Sequence, residues 1–105
     1  MLEKLANTLE GELRYDQISK ILYSTDASAY RETPLAVAFP KSNEDIRKLI
    51  AFSSEHKTSL IPRGAGTSLA GQVVGQGIVV DMSKHMNRVL ECNPDEKWIE
   101  VQPGV

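Results

Sequence analysis

The sequence predicts an α+β fold, and three observations carry that prediction. An apolar run, LAVAF, is followed by an amphipathic segment and then by a second short run, SLIP. A third run, GIVVDM, comes after a glycine-rich stretch, and two alternating segments then flank Asn93-Pro94-Asp95-Glu96. Strand–helix–strand gives a βαβ unit, and two alternating runs around a turn give a hairpin. The expected architecture is an N-terminal βαβ layer with flanking helices, leading into an antiparallel sheet.

Each element follows from local chemistry. Leu2, Leu5, Leu9 and Leu13 recur at helical spacing, so residues 2–13 are expected to form an amphipathic helix. A second helix over 16–23 is expected to bury Ile18, Ile21 and Leu22. Residues 24–34, STDASAYRETP, are polar and aperiodic and read as a loop. LAVAF, closed by Pro40, reads as a buried strand. Ser42 is a favourable N-cap, with Asp45 in a capping-box relation and Glu44 also near the positive helix end. Ile46, Leu49 and Ile50 share one face, Arg47, Lys48 and Glu55 face water, and His56 and Lys57 suit the helix C-terminus. SLIP then returns as a strand parallel to the first, with a right-handed crossover. Gly77–Met82 is a further strand, and segments 87–92 and 97–102 pair around a type I turn. Residues 1–34 are thus read as a helical and loop segment, and 35–105 as the domain proper.

Composition narrows the function. A chain of 105 residues buries roughly two thirds of its unfolded surface, enough for one modest core. A net charge of −2 with both signs interspersed argues against nucleic-acid binding, which calls for a basic stripe. Neither a signal peptide nor a transmembrane run is visible, so cytoplasmic residence is expected, free or peripheral to the inner face of the membrane. Cys92 is the single cysteine, which excludes an internal disulfide and leaves no metal site in view. The chain stops at WIEVQPGV, just after a strand pattern, and reads as a piece of a longer protein.

The stretch IPRGAGTSLAGQ sets three of the seven glycines, Gly64, Gly66 and Gly71, within a few residues of each other after a strand. Without Cβ atoms, successive backbone N–H groups can converge on an anion. The dinucleotide fingerprint fails, because Leu69 replaces its third glycine and Gly71, Gly75 and Gly77 interrupt the helix it needs. A P-loop also fails, because Gln72-Val73 stands where Lys-Ser/Thr would bind phosphate and magnesium. What remains is a lysine-free, helix-free cradle built from the N–H groups of residues 64–68, the hydroxyls of Thr67 and Ser68, and Arg63. On composition alone, a simple turn and a ligand-binding loop both stay open.

The segments PLAVAFPKSNEDIRKLI, IPRGAGTSLAGQ, GIVVDMSKHMNRVLE and VQPGV, in this order, resemble the N-terminal part of the FAD-linked oxidases. These flavoproteins share their FAD domain with vanillyl-alcohol oxidase and p-cresol methylhydroxylase. Within them the chain looks most like the D-2-hydroxyacid dehydrogenases related to the glycolate oxidase flavin subunit and D-lactate dehydrogenase. The resemblance implies the first part of a PCMH-type FAD-binding domain. It implies oxidation of a D-2-hydroxy acid to the 2-oxo acid by hydride transfer to FAD, with an unidentified electron acceptor. An iron–sulfur cluster beyond Val105 is implied for one branch of the family. By resemblance Arg63, Gly64, Ala65, Gly66, Thr67 and Ser68 wrap the FAD pyrophosphate, Gly71 closes the loop, and Pro103 and Gly104 form a turn that approaches the cofactor. Pro40 matches a proline near the adenine side. Some relatives attach FAD through a His directly after the paired glycines; Thr67 stands there, so FAD is expected to be held non-covalently.

No catalytic residue is assigned within the chain, which alone is expected to be inactive and to bind FAD weakly or not at all. His85 reads as a solvated or capping residue, Cys92 as a small core or edge residue, and Trp98 as cross-strand packing. Tyr30 and Arg31 read as packing over the βαβ layer. The competing functional reading is a non-catalytic phosphate- or nucleotide-binding module, and a structural α+β domain with a plain turn is the third.

Overall fold

Four short strands make the main sheet, and the chain enters it earlier than its leucine spacing suggests. A computed structural model describes all residues, Met1 to Val105. Helix α1 (Leu2–Thr8) ends where Leu9 turns extended, and β1 (Glu12–Arg14) follows. The helix expected over 2–13 is therefore cut short, and the N-terminal segment contributes a strand. The cause is long-range. Gly11 lies so close to the next strand that a Cβ on it would fall 1.9 Å from the Phe39 carbonyl oxygen. The Asp45 carboxylate accepts from the N–H groups of Glu10 and Gly11 at 2.8 and 2.9 Å. Tertiary contacts of this kind override helical propensity.

Helix α2 (Gln17–Leu22) forms as expected but turns the other way. Asp16 caps it, accepting from Ser19 N–H and hydroxyl at 2.9 and 2.8 Å, and Ser19 is buried. Ile18, Ile21 and Leu22 are 72%, 46% and 66% exposed, so the expected burial of these three is corrected. The helix is oriented by the residue after it. Tyr23 packs edge-on against Phe39, with ring centroids 5.8 Å apart, and its hydroxyl donates to Asp81 at 2.5 Å.

Strand β2 (Ala36–Phe39), helix α3 (Asn43–His56) and strand β3 (Leu60–Arg63) form the anticipated unit. β2 and β3 are parallel, but β4 (Ile78–Asp81) lies between them, giving the sheet order β1-β2-β4-β3. Both β2 and β4 are buried along their whole length, as the continuous apolar runs of parallel strands require. β1 pairs antiparallel with β2, Leu13 opposite Ala38. β3 is the other edge. Ser59 and Arg63 carbonyls accept from Ile78 and Met82 N–H, so Pro62 faces outward, where its missing donor disturbs no ladder.

At the start of α3 the Ser42 hydroxyl accepts from Asp45 N–H at 3.2 Å. The Asp45 side chain does not return to Ser42 as a capping box would. It is fully buried and binds Lys41 N–H at 3.0 Å besides Glu10 and Gly11. Burial pushes this carboxyl up, but the three backbone donors outweigh it and hold the group below its ordinary value. Leu49 and Phe52 carry the helix into a core with Leu5, Leu9, Ala36, Ala38, Ile78 and Val80. Ile50, expected on that face, is exposed.

The second sheet is the hairpin of β5 (Val89–Asn93) and β6 (Trp98–Val101). The Asn93 side chain accepts from Glu96 N–H at 3.1 Å, closing the turn that the Asn-Pro-Asp-Glu sequence predicts. Cys92 lies opposite Ile99 and is exposed. Trp98 lies opposite Asn93, and its indole N–H donates to Glu96 at 2.9 Å.

Candidate functional site: the glycine-rich loop after β3

Because β2, β3 and β4 are parallel, Phe39, Arg63 and Asp81 end at one edge of the sheet. Ligands of open sheets with parallel strands sit outside that edge. The glycine-rich loop leaves it directly after Arg63.

The loop is tied down by its carbonyls. Arg63 O accepts from Met82 N–H at 3.0 Å, and Gly66 O accepts from Ala27 N–H at 3.1 Å. Its donors are free: no N–H from Gly64 to Ser68 has a protein acceptor. Gly66 and Gly71 have φ of +71° and +73°, a region that side chains rarely adopt. Nothing lies within 4 Å of the position a Cβ on Gly64 would take, so the backbone there is open to close approach. Of the two hydroxyls, Thr67 makes no bond within the chain, whereas Ser68 donates to Gln72 Oε1 and accepts from Gln72 N–H at 3.3 Å. Ser68 therefore closes the loop rather than extending its donor row.

Arg63 points beneath the loop. Its Nη1 donates to Thr25 O at 2.7 Å, and its Cζ lies 5.0 Å from the Tyr23 ring centroid. Tyr23 in turn donates to Asp81, whose other oxygen accepts from Ser83 N–H and hydroxyl. Burial, and then the Asp81 carboxylate, push the Tyr23 phenol up to about 12, so it stays a donor at neutral pH.

Residues 23–32 form a strap under the glycine-rich loop; the sequence places Tyr23 at the end of a helix and 24–34 in a plain loop. Tyr23, Thr25 and Ala27 meet Arg63 and Gly66. The Tyr30 ring covers Gly71, where a Cβ would come within 2.7 Å of it. Glu32 accepts from Gln76 at 3.2 Å. Tyr30 thus packs on the glycine loop, not over the βαβ layer. The one local signal was Asp26-Ala27-Ser28, a spacing suited to an Asx turn: Asp26 Oδ1 accepts from Ser28 N–H at 2.8 Å. The Ser28 hydroxyl is the main cause holding Asp26 below its ordinary carboxyl value.

Pro103 and Gly104 form a turn after β6. Gly104 N–H donates to Met86 O at 2.8 Å, and a Cβ on Gly104 would fall 2.2 Å from Met82 O. The turn is thus packed on the segment after β4. Pro40 is fully buried. His85, expected to be solvated or capping, instead has its Nε2 buried without a hydrogen-bond partner, 3.5 Å from Glu12 Oε1; Lys84, at 2.7 Å, is the main cause lowering Glu12 to about 2. The two cavities, about 570 and 200 Å³, lie along α1 and α3 and between α3 and β3; neither includes residues 64–68. The loop offers its donors on an open face.

A sheet of this topology with a free row of amides at its carboxyl edge defines an α+β domain with an open loop there. The sequence profile of the FAD binding domain family matches residues 34–105, and the chain belongs to that family. It is 43% identical over 98 residues to the D-2-hydroxyglutarate dehydrogenase of Escherichia coli K12, covering 90% of this chain and 10% of that protein. It is 38% identical over 88 residues to the glycolate oxidase subunit GlcD of Bacillus subtilis, covering 82% of this chain and 19% of that protein. The chain thus spans only about a tenth to a fifth of the length of these relatives. Among solved structures, 4-ethylphenol oxidase from Gulosibacter chungangensis superposes with a TM-score of 0.74 at 22% identity, covering 99% of this chain and 21% of that one. That likeness establishes the fold. The resemblance drawn from the four sequence segments therefore holds, in family and in architecture. No helix is long and apolar enough to cross a membrane.

Proposed function

We propose that this chain supplies the pyrophosphate-holding loop of the FAD domain in an enzyme that oxidises a D-2-hydroxy acid to the 2-oxo acid. The observation that carries this reading is the row of unpaired N–H groups from Gly64 to Ser68 at the carboxyl edge of the parallel strands. Five consecutive donors without acceptors suit a diphosphate, whose charge neutral amides can share without a metal. The open backbone at Gly64 and the positive φ at Gly66 fit the same group. The names of the relatives, D-2-hydroxyglutarate dehydrogenase and glycolate oxidase subunit, supply the substrate class.

In this reading the amides of Gly64, Ala65, Gly66, Thr67 and Ser68 hold the two phosphoryl groups, with the Thr67 hydroxyl as a further donor. Gly71 lets the chain turn back beneath Tyr30, and the Ser68–Gln72 bonds keep the loop closed. Pro103 and Gly104 contribute through the turn they brace on Met82 and Met86. FAD supplies a two-electron acceptor at such a site. The chain's own share is to bind and orient: the donors are fixed before the anion arrives, so little ordering remains to oppose binding. Because the loop lies on an open face, water competes for the same donors, and affinity is expected to be modest. No residue of the chain is placed on a reacting atom.

Titration with ADP and with inorganic pyrophosphate, read by amide chemical shifts, tests the reading. The expected result is saturable shifts centred on residues 64–68, together with a rise in melting temperature. Shifts scattered over surface lysines, with residues 64–68 unmoved, would overturn it.

A further inference from the structure

Arg63 is the one cation in the glycine-rich stretch, and its charge invites assignment to a phosphate. Its contacts support a different task. The guanidinium has three engagements inside the chain: the Thr25 carbonyl at 2.7 Å, the Tyr23 ring at 5.0 Å, and the underside of the loop at Gly66. A Cβ on Gly66 would fall 2.5 Å from Nη2 and 2.9 Å from Cζ, so a side chain there would displace the guanidinium from its present place. Gly66 O is itself held by Ala27 N–H, two residues beyond Thr25 on the same strap. Tyr23 is fixed in place by Asp81, which is buried at the end of β4. A continuous chain of contacts therefore runs from the sheet, through Asp81, Tyr23 and Arg63, to the middle of the loop.

We infer that Arg63 is a positioning residue: its guanidinium braces the glycine loop from beneath, against Tyr23 and Thr25, and keeps the amides of residues 64–68 turned outward. This rests on the assignment of those amides to a diphosphate but concerns a different group and a different task. A planar fork that stacks on a ring and donates to a carbonyl suits the position, and an ammonium does not. With Nη1 donating to Thr25 and Cζ over the Tyr23 ring, Arg63 acts on the anion through the loop.

The experiment uses the whole chain, with inorganic pyrophosphate as probe. Arg63→Lys keeps the charge and removes the fork; Tyr23→Leu removes the ring without touching any charge; Tyr23→Phe keeps the ring face. A thermal melt of each variant checks that it folds. As a brace, Arg63→Lys displaces the amide resonances of residues 64–68, Thr25 and Ala27 in the unliganded chain, and Tyr23→Leu displaces the same set. Tyr23→Phe leaves them near wild type. Pyrophosphate binding weakens about tenfold in Arg63→Lys and weakens little further in the double variant with Tyr23→Leu, because both remove one contact. Arg63→Gln, which discards the charge, leaves the slope of log affinity against log salt unchanged.

If Arg63 instead touches phosphate, Arg63→Lys retains binding, Arg63→Gln flattens the salt slope, and Tyr23→Leu leaves the loop resonances in place. Any of these overturns the inference. Should Tyr23→Leu fail to fold, the resonances of Arg63→Lys and the salt slope of Arg63→Gln still decide. Failure of the wild-type chain to bind pyrophosphate is a separate result: it removes the assignment of the donor row, while the brace stands or falls on the unliganded resonances.

Discussion

Two parallel strands, β2 and β3, leave the sheet at the same edge, and the chain treats their exits in opposite ways. After β2 the backbone donors meet protein acceptors: Asp45 takes Lys41 N–H, and Ser42 takes Asp45 N–H. After β3 the donors of residues 64–68 meet none. The difference lies in side chains. The first exit carries a serine and an aspartate at capping positions; the second carries glycines, an alanine, a threonine that bonds nothing and a serine that closes its own turn. The first exit thus ties Lys41 and Asp45 N–H to its own side chains, whereas the second leaves five successive donors for the diphosphate proposed above.

The largest expected effect breaks the capped exit. Asp45→Ala strands the N–H groups of Lys41, Glu10 and Gly11 together and is expected to lower stability by about 3 kcal/mol. In a domain of this size that corresponds to a fall of about 15 °C in Tm. Denaturant unfolding checks it, and a loss below about 1 kcal/mol would mean that water replaces the carboxylate without penalty. The same bonds give a pH dependence. Asp45 titrates lower in the folded chain than its ordinary value of 3.8, so its contribution is fully present above that pH and fades as pH falls through the folded value. An acid titration of stability should show this limb in wild type and lose it in Asp45→Asn.

The second effect strikes the open exit. Gly66→Ala introduces a side chain at φ +71°, against the Arg63 guanidinium. The expected cost is about 1–2 kcal/mol of stability, from backbone strain and from displacing the arginine. Melting curves measure the cost, and amide resonances show whether the donor row has moved. A variant as stable as wild type, with unmoved resonances, would show that the loop does not need this conformation.

The contrast between the exits also explains what the sequence disclosed. Ser42, the LAVAF and GIVVDM runs and the Asn93–Glu96 turn were legible because each works through residues within a few positions of itself. The leucine period of α1 misled at Leu13, because the break at Leu9 is imposed by Asp45 and Phe39, far along the chain. The place of β4 between β2 and β3 is likewise a non-local pairing with no local mark. At the site, the glycines announced a loop that needs bare backbone, and family resemblance gave it a ligand. The strap did not announce itself. Tyr23 ends a helical pattern, Thr25 and Ala27 lie in an aperiodic polar stretch, and their task is visible only where they meet Arg63 and Gly66, about forty residues later. Resemblance gave Arg63 a place on the pyrophosphate, while the brace inferred for it rests on contacts with Thr25 and Tyr23 that leave no local mark in the sequence.

The smallest effect on stability separates the fold from the site most cleanly. Gly64 has a φ outside the positive range, and a Cβ there meets nothing. Gly64→Ala is therefore expected to leave the melting temperature close to wild type, within about 0.5 kcal/mol. The amide is retained, so the donor row is intact. The added methyl, however, occupies the open space through which an anion would approach the backbone. Pyrophosphate affinity is expected to fall about tenfold, equivalent to about 1.4 kcal/mol. Binding lost at constant stability marks a surface kept bare for a ligand. If affinity is unchanged, the anion reaches the row from the other side, and the approach is to be sought at Thr67, whose free hydroxyl then becomes the residue to replace.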